Sequence, residues 1–164
     1  MPAPKHSDDW DTSHIPYLSV SLEEVKANFD AFGLLDDQVS FLKGWFGDTL
    51  PTAPIQELAV LRLDGDLYHS TMDALQNLYH KVSKGGYVIV DDYHSWPGCK
   101  QAVTDFLNEN SLSPDIQNVD RDAVCWKREG TGGCPVSYSP ALTASIPFTA
   151  ASTTSAGMMG SGAM

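Results

Sequence analysis

Four aspartates are the residues of this chain best suited to chemistry. Asp64 and Asp66 stand one residue apart at the end of the apolar run Leu58-Ala-Val-Leu-Arg-Leu. Asp91 and Asp92 are adjacent at the end of a second apolar run, Gly86-Tyr-Val-Ile-Val. Hard divalent cations take oxygen ligands, and Mg²⁺ binds a few carboxylates while keeping positions for water or substrate. Asp64, Asp91 and Asp92 converging at one sheet edge fit that pattern. Asp66 is then placed to sit beside the ion without ligating it and to act as a base. The plainer reading is that D-x-D and D-D merely cap helices or end strands. Against it, Ser70 suffices as a cap for the helix that follows, and four neighbouring acids repel one another without a cation.

These acids need two strands brought side by side. Both runs are nearly all apolar, as expected of parallel strands covered on both faces. Between them the sequence predicts a helix over 70–82, opened by a Ser70/Asp73 capping box and burying Met72, Leu75, Leu78, Tyr79 and Val82. Lys84-Gly85-Gly86 is expected to end that helix and lead into a strand at 86–90. A strand–helix–strand unit of this kind sets both strand exits on one edge, where ligands bind in open parallel sheets. Arg62 interrupts the first run and shares a face with Asp64, so it is expected to pair with a carboxylate there.

The rest of the chain supplies the frame. Residues 1–20, with Pro2, Pro4 and Pro16, read as loop or flap. A helix is predicted from Ser21, with a Ser21/Glu24 capping box, a core stripe of Leu22, Val25, Phe29 and Phe32, and Gly33 as C-cap. Residues 39–42 alternate and read as a short strand. Gly44-Trp45-Phe46-Gly47 follows, and two readings stand there: glycines that admit a flat ligand to the backbone, or a turn with its aromatics packed inward. Pro97 opens a helix over about 97–109. Residues 116–119 and 123–127 read as a hairpin, so the sheet gains an antiparallel C-terminal edge.

Composition narrows the classes. At 164 residues one domain is expected. The last 35 residues carry no charge, and the tail 130–164, rich in Ala, Ser, Thr and Gly, is expected to be disordered. The folded portion is therefore 21–129. A net charge of −11 argues against nucleic-acid binding, which needs clustered Lys and Arg. No apolar run is long enough to span a membrane. Cys99, Cys125 and Cys134 match no ligand pattern and read as reduced thiols of a cytoplasmic protein.

Several long motifs carry a resemblance. Leu61-Arg-Leu-Asp-Gly-Asp-Leu-Tyr-x-Ser-Thr-Met-Asp-Ala-Leu, then Gly85-Gly-Tyr-Val-Ile-Val-Asp-Asp-Tyr, is similar to the macrocin O-methyltransferase family. So are Gly33-Leu-Leu-Asp-Asp-Gln-Val, Gly44-Trp-Phe-Gly-Asp-Thr-Leu-Pro and Val119-Asp-Arg-x-Ala-Val-x-Trp. The resemblance runs from about residue 5 to 128. It implies an α/β fold, a partial class I methyltransferase (Rossmann-like) sheet, mostly parallel with the antiparallel hairpin at its edge. It also implies methyl transfer from S-adenosylmethionine to a sugar hydroxyl of a glycosylated small molecule, dependent on Mg²⁺. Carboxylates matching Asp64, Asp91 and Asp92 hold the metal, and the one matching Asp66 takes the proton. Gly44, Trp45 and Phe46 match the region near the cofactor's adenine. The family's glycine-rich cofactor turn has no counterpart before residue 33, so the chain is expected to lack the first two strands. The sheet edge this leaves open leaves room for a homo-oligomer.

Two other classes stay in view. One is a non-catalytic fragment or interaction subunit that pairs its open edge with a partner. The other is a different Mg²⁺ enzyme such as a phosphohydrolase, for which the sequence offers neither a P-loop nor a basic patch.

Overall fold

The computed structural model describes residues 20–129. The flap expected at 1–20 and the tail expected at 130–164 lie outside the described residues, except for Val20. Helix α1 (Leu22–Ala31) begins at Ser21 with the expected reciprocal cap: the Glu24 amide donates to Ser21 Oγ at 3.1 Å, and the Ser21 amide donates to Glu24 Oε2 at 2.9 Å. Gly33 follows with φ 66°, a left-handed conformation that suits glycine. A short helix α2 (Phe46–Thr49) runs into a 3₁₀ turn, Leu50–Thr52. Strand β1 (Leu58–Leu63), helix α3 (Tyr68–Leu78), a 3₁₀ turn (Tyr79–Lys81) and strand β2 (Val82–Val90) then form the central unit. Helix α4 (Pro97–Glu109) has Pro97 in its first turn, as expected. Strands β3 (Gln117–Asn118) and β4 (Val124–Lys127) make the hairpin.

Among the described residues the strands form one sheet in the order β1-β2-β4-β3. β1 and β2 are parallel, with Arg62 opposite Ile89 and Leu63 opposite Val90. β4 runs antiparallel to both β2 and β3. The core gathers Leu61 and Leu63 from β1, Val88 and Val90 from β2, and Val124 and Trp126 from β4. Met72, Leu75 and Leu78 of α3, with Val103, Phe106 and Leu107 of α4, complete it. The stripe drawn from 3.6-residue spacing over Met72, Leu75 and Leu78 is thus the face that is buried in α3.

Five expectations need correction. Residues 39–42 form no strand; Phe41 instead packs edge-on against Phe29 of α1, with ring centroids 5.4 Å apart. No neighbouring strand reaches this stretch among the described residues, so alternation alone yields no ladder. The α1 stripe is not core: no residue of that helix is buried, and Phe32 is 81% exposed. Ser70 and Asp73 do not cap α3, which starts two residues earlier with Leu67 at its N-cap and no side-chain cap bond. Lys84-Gly85-Gly86 lies inside β2 and does not end the helix. The ladder to β1 shifts register there, and a Cβ on Gly86 would stand 2.7 Å from the Ala59 carbonyl oxygen. Glycine at such a shift marks close backbone approach rather than a helix stop. Finally, Cys125 is disulfide-bonded, while Cys99 is free and buried. Spacing along the chain could not reveal that pairing, because proximity in space decides it.

β1 is an edge strand in this sheet, and Ala59 and Val60 are exposed. Its expected cover on both faces therefore does not hold: Leu61 and Leu63 are buried on one face, while Val60 on the other is exposed. The C-terminal half of the strand is the one that delivers the acids.

Candidate metal and catalytic site

The parallel ladder continues one bond past the strands: the Asp91 amide donates to the Leu63 carbonyl at 2.9 Å. This bond sets the exits of β1 and β2 side by side. Asp64 follows β1 immediately, and Asp91 and Asp92 follow β2. Asp66 adopts φ 56°, a left-handed conformation that Asp tolerates better than most residues. Gly65 makes that tight turn feasible, since a Cβ there would lie 3.0 Å from Ser70 Cβ and 3.5 Å from Phe46 Cε2.

Asp64, Asp66 and Asp92 each present a carboxylate oxygen, and these oxygens lie within 4.8 Å of one another. Asp91 turns toward Arg62. The Arg62 guanidinium bonds the Asp91 carboxylate and also reaches Asp64 Oδ2 at 3.1 Å. The ion pair anticipated from side-chain alternation along β1 is therefore made, with both strand exits. All four acids sit at one edge, in two groups that share Asp64.

Electrostatics mark the first group. Burial, with the charges of Asp66 and Asp64 adding to it, raises the pKa of Asp92 to about 7. Burial also raises Asp66, with the Asp64 charge adding to it and the hydrogen bond to Asp92 opposing it. Two carboxylates that meet this closely share a proton unless a cation replaces it. Asp92 Oδ2 is buried with no hydrogen-bond partner, an arrangement that costs free energy unless something bonds it. An all-oxygen donor set with an orphaned buried oxygen fits a hard cation such as Mg²⁺. Asp91 is raised by burial, and the Arg62 charge counters the rise.

Second-tier contacts hold the acids in place. The loop after β2 is pinned by the hairpin turn: the His94 amide donates to the Asp122 carbonyl at 2.9 Å, and Ser95 Oγ donates to Asp122 Oδ1 at 2.7 Å. Trp96 closes back on the Asp92 carbonyl at 3.0 Å. Behind the acids, Cys99 and Thr71 are buried, and burial pushes the Cys99 thiol up to about 12, so it is an inert thiol.

Gly44, Trp45 and Phe46 divide. Gly44 has φ 143°, and a Cβ there would meet Thr49 Cγ2 at 2.7 Å. Trp45 is 61% exposed, whereas Phe46 packs inward against the core beside Gly65. The inward-packed reading thus describes Phe46 but not Trp45, and Phe46 joins this stretch to the acidic turn. Sequence reasoning missed Asp73 as a neighbour of α2: its Oδ2 stands 3.0 Å from where a Cβ on Gly47 would lie, so α2 packs directly on α3 there. The signal was an acid on the α3 face that the capping-box reading had already assigned.

Residues 1–128 match the family model described as Macrocin-O-methyltransferase (TylF). A demethyldecarbamoylnovobiocin O-methyltransferase from Streptomyces niveus is 60% identical over 111 residues, 68% of this chain and 42% of that protein. A mycinamicin III 3''-O-methyltransferase from Micromonospora griseorubida is 50% identical over 111 residues, 68% of this chain and 43% of the relative. The chain thus spans less than half the length of the curated relatives it matches. The solved structure of the O-methyltransferase NovP superposes with a TM-score of 0.65 at 60% identity, over 66% of this chain and 45% of that one. The apo structure of CalS11, described as a TDP-rhamnose 3'-O-methyltransferase, gives a TM-score of 0.51 at 21% identity, over 70% and 52% of the two chains, a likeness of fold alone.

Proposed function

The chain belongs to the macrocin O-methyltransferase family, and from that premise we propose that it serves S-adenosylmethionine- and Mg²⁺-dependent methylation of a sugar hydroxyl on a glycosylated natural product. The observation that carries this reading is the set of four carboxylates at two adjacent parallel strand exits, in a chain whose relatives are named O-methyltransferases. Asp64 and Asp92 belong both to the ligand set read from sequence and to the group of converging oxygens. They would hold the ion, with Asp91, which faces Arg62, as the third member of the set read from sequence. When bound, Mg²⁺ supplies a Lewis acid that lowers the pKa of a sugar hydroxyl, and S-adenosylmethionine supplies the methyl group.

The chain's own residues then have distinct tasks. Asp66 accepts the proton of the attacking hydroxyl; its raised pKa brings it nearer the range in which a base works at neutral pH. Asp64, Asp91 and Asp92 fix the position of the hydroxyls relative to Asp66, which converts proton transfer into a step between aligned groups. Exposed Trp45 offers a face for the adenine ring, and Gly44 allows the backbone to come close.

The test is transfer of labelled methyl from S-adenosylmethionine to desmethyl glycosides, with Mg²⁺ present or chelated. Asp66→Asn is expected to abolish turnover while still binding Mg²⁺, more weakly for the charge it lacks. Turnover by Asp66→Asn equal to wild type contradicts the role assigned to Asp66.

A second reading has its own observation. Phe32, Trp45, Leu34 and Val60 are exposed at 81%, 61%, 48% and 41%, and β1 presents a free edge among the described residues. Such a surface suits a subunit that docks on another polypeptide, including a second copy of itself. Light scattering that shows only monomer at all concentrations counts against it.

A further inference from the structure

We infer that Arg62 is a positioning residue of the metal site, orienting Asp64 and Asp91 toward one ion while ligating nothing itself. The inference rests on the metal reading above and extends it to a residue of opposite charge. Arg62 lies on β1 two residues before Asp64 and three-quarters buried, with 23% of its side chain exposed. One nitrogen, Nη2, serves both strand exits: it contacts Oδ2 of Asp64 at 3.1 Å and bonds Oδ2 of Asp91. Asp64 is also one of the three acids whose carboxylate oxygens converge, with Asp66 and Asp92. Ligating carboxylates are commonly held by such outer hydrogen bonds, which set their orientation.

The sign of the effect separates positioning from simple charge. A guanidinium beside a cation site repels the cation, so if Arg62 acted only through its charge, removing it would tighten binding. As a clamp it does the opposite. Without it Asp64 and Asp91 repel each other across the gap between strands, and each carboxylate is free to rotate away. Arginine also suits the task better than lysine, because its rigid, planar donor group fixes direction while an ammonium does not.

The experiment is a Mg²⁺ titration by calorimetry, repeated with Mn²⁺, on the full chain as wild type, Arg62→Met, Arg62→Lys and Asp91→Asn. Circular dichroism confirms folding of each. Arg62→Met is expected to weaken binding about tenfold or more, the range seen when such outer partners are lost. Arg62→Lys is expected to recover part of that loss. The double variant Arg62→Met/Asp91→Asn should lose less than the sum of the two single losses, since Asp91 is one of the two carboxylates through which Arg62 acts. Binding by Arg62→Met that equals or exceeds wild type overturns the inference and leaves the metal site standing. No binding by wild type overturns the metal site, and this inference with it. If Arg62→Met fails to fold, Arg62→Lys alone decides: wild-type affinity there means that only charge matters.

Discussion

Lowering the pH should weaken Mg²⁺ binding through Asp92, and the size of the effect follows from its surroundings. Burial is the main reason its carboxyl titrates at about 7, and the charges of Asp66 and Asp64 add to the shift. An ion must displace that proton, so metal binding and proton release are linked. A group with a pKa near 7 is about nine-tenths ionised one unit above it and about one-tenth ionised one unit below. Asp92 alone therefore lowers apparent Mg²⁺ affinity about tenfold between about pH 8 and about pH 6. Asp66, raised in the same direction, steepens the trend. Calorimetry at several pH values gives the affinity, and repeating it in two buffers of different ionisation enthalpy counts the protons released. Asp92→Asn should both weaken binding and flatten the pH profile. An affinity unchanged from pH 6 to pH 8, or a profile as steep in Asp92→Asn as in wild type, refutes this reasoning.

The same acids should make the metal-free chain less stable as pH rises. The folded pKa of Asp92 lies above its unfolded value, so its stabilising contribution is complete below the unfolded pKa, about 4, and is lost as pH passes through about 7. Thermal melts in chelator are expected to show Tm falling across that window, and Mg²⁺ should restore it most at the alkaline end. Gly86→Ala should cost roughly 1–3 kcal/mol, because its new Cβ would stand 2.7 Å from the Ala59 carbonyl oxygen and 2.9 Å from Val82 Cγ1. A urea midpoint equal to wild type would contradict that. Leu75→Ala should cost about 3 kcal/mol, since Leu75 is fully buried in the core that α3 and α4 share. A loss below about 1 kcal/mol would show that this core collapses around the gap.

How much of this was legible in the sequence depends on the range of the forces involved. The strand–helix–strand unit, the Pro97 helix and the hairpin were all readable, because apolar periodicity and proline position are local signals. The Arg62 ion pair was readable too, since alternation along β1 fixes its face. What failed was tertiary. The α1 stripe has the right spacing for burial, but it is only half-covered: Phe41 packs on Phe29, and no residue of the helix is buried. Gly85 and Gly86 look like a helix stop, and only the register shift against β1 shows why they sit inside a strand. The acids' division of labour was partly hidden as well. Sequence placed four carboxylates at one edge. That Asp66 turns toward Asp92 while Asp91 turns toward Arg62 depends on a left-handed residue at position 66 and on the pitch of two strands.

A crystal of the chain soaked in Mn²⁺ and measured at the manganese edge addresses the metal site without reference to turnover. An anomalous peak between the exits of β1 and β2, bounded by the Asp64 and Asp92 carboxylates and lost in Asp92→Asn, is the expected result. A peak elsewhere, or none while Asp66 and Asp92 still share a proton, contradicts the site.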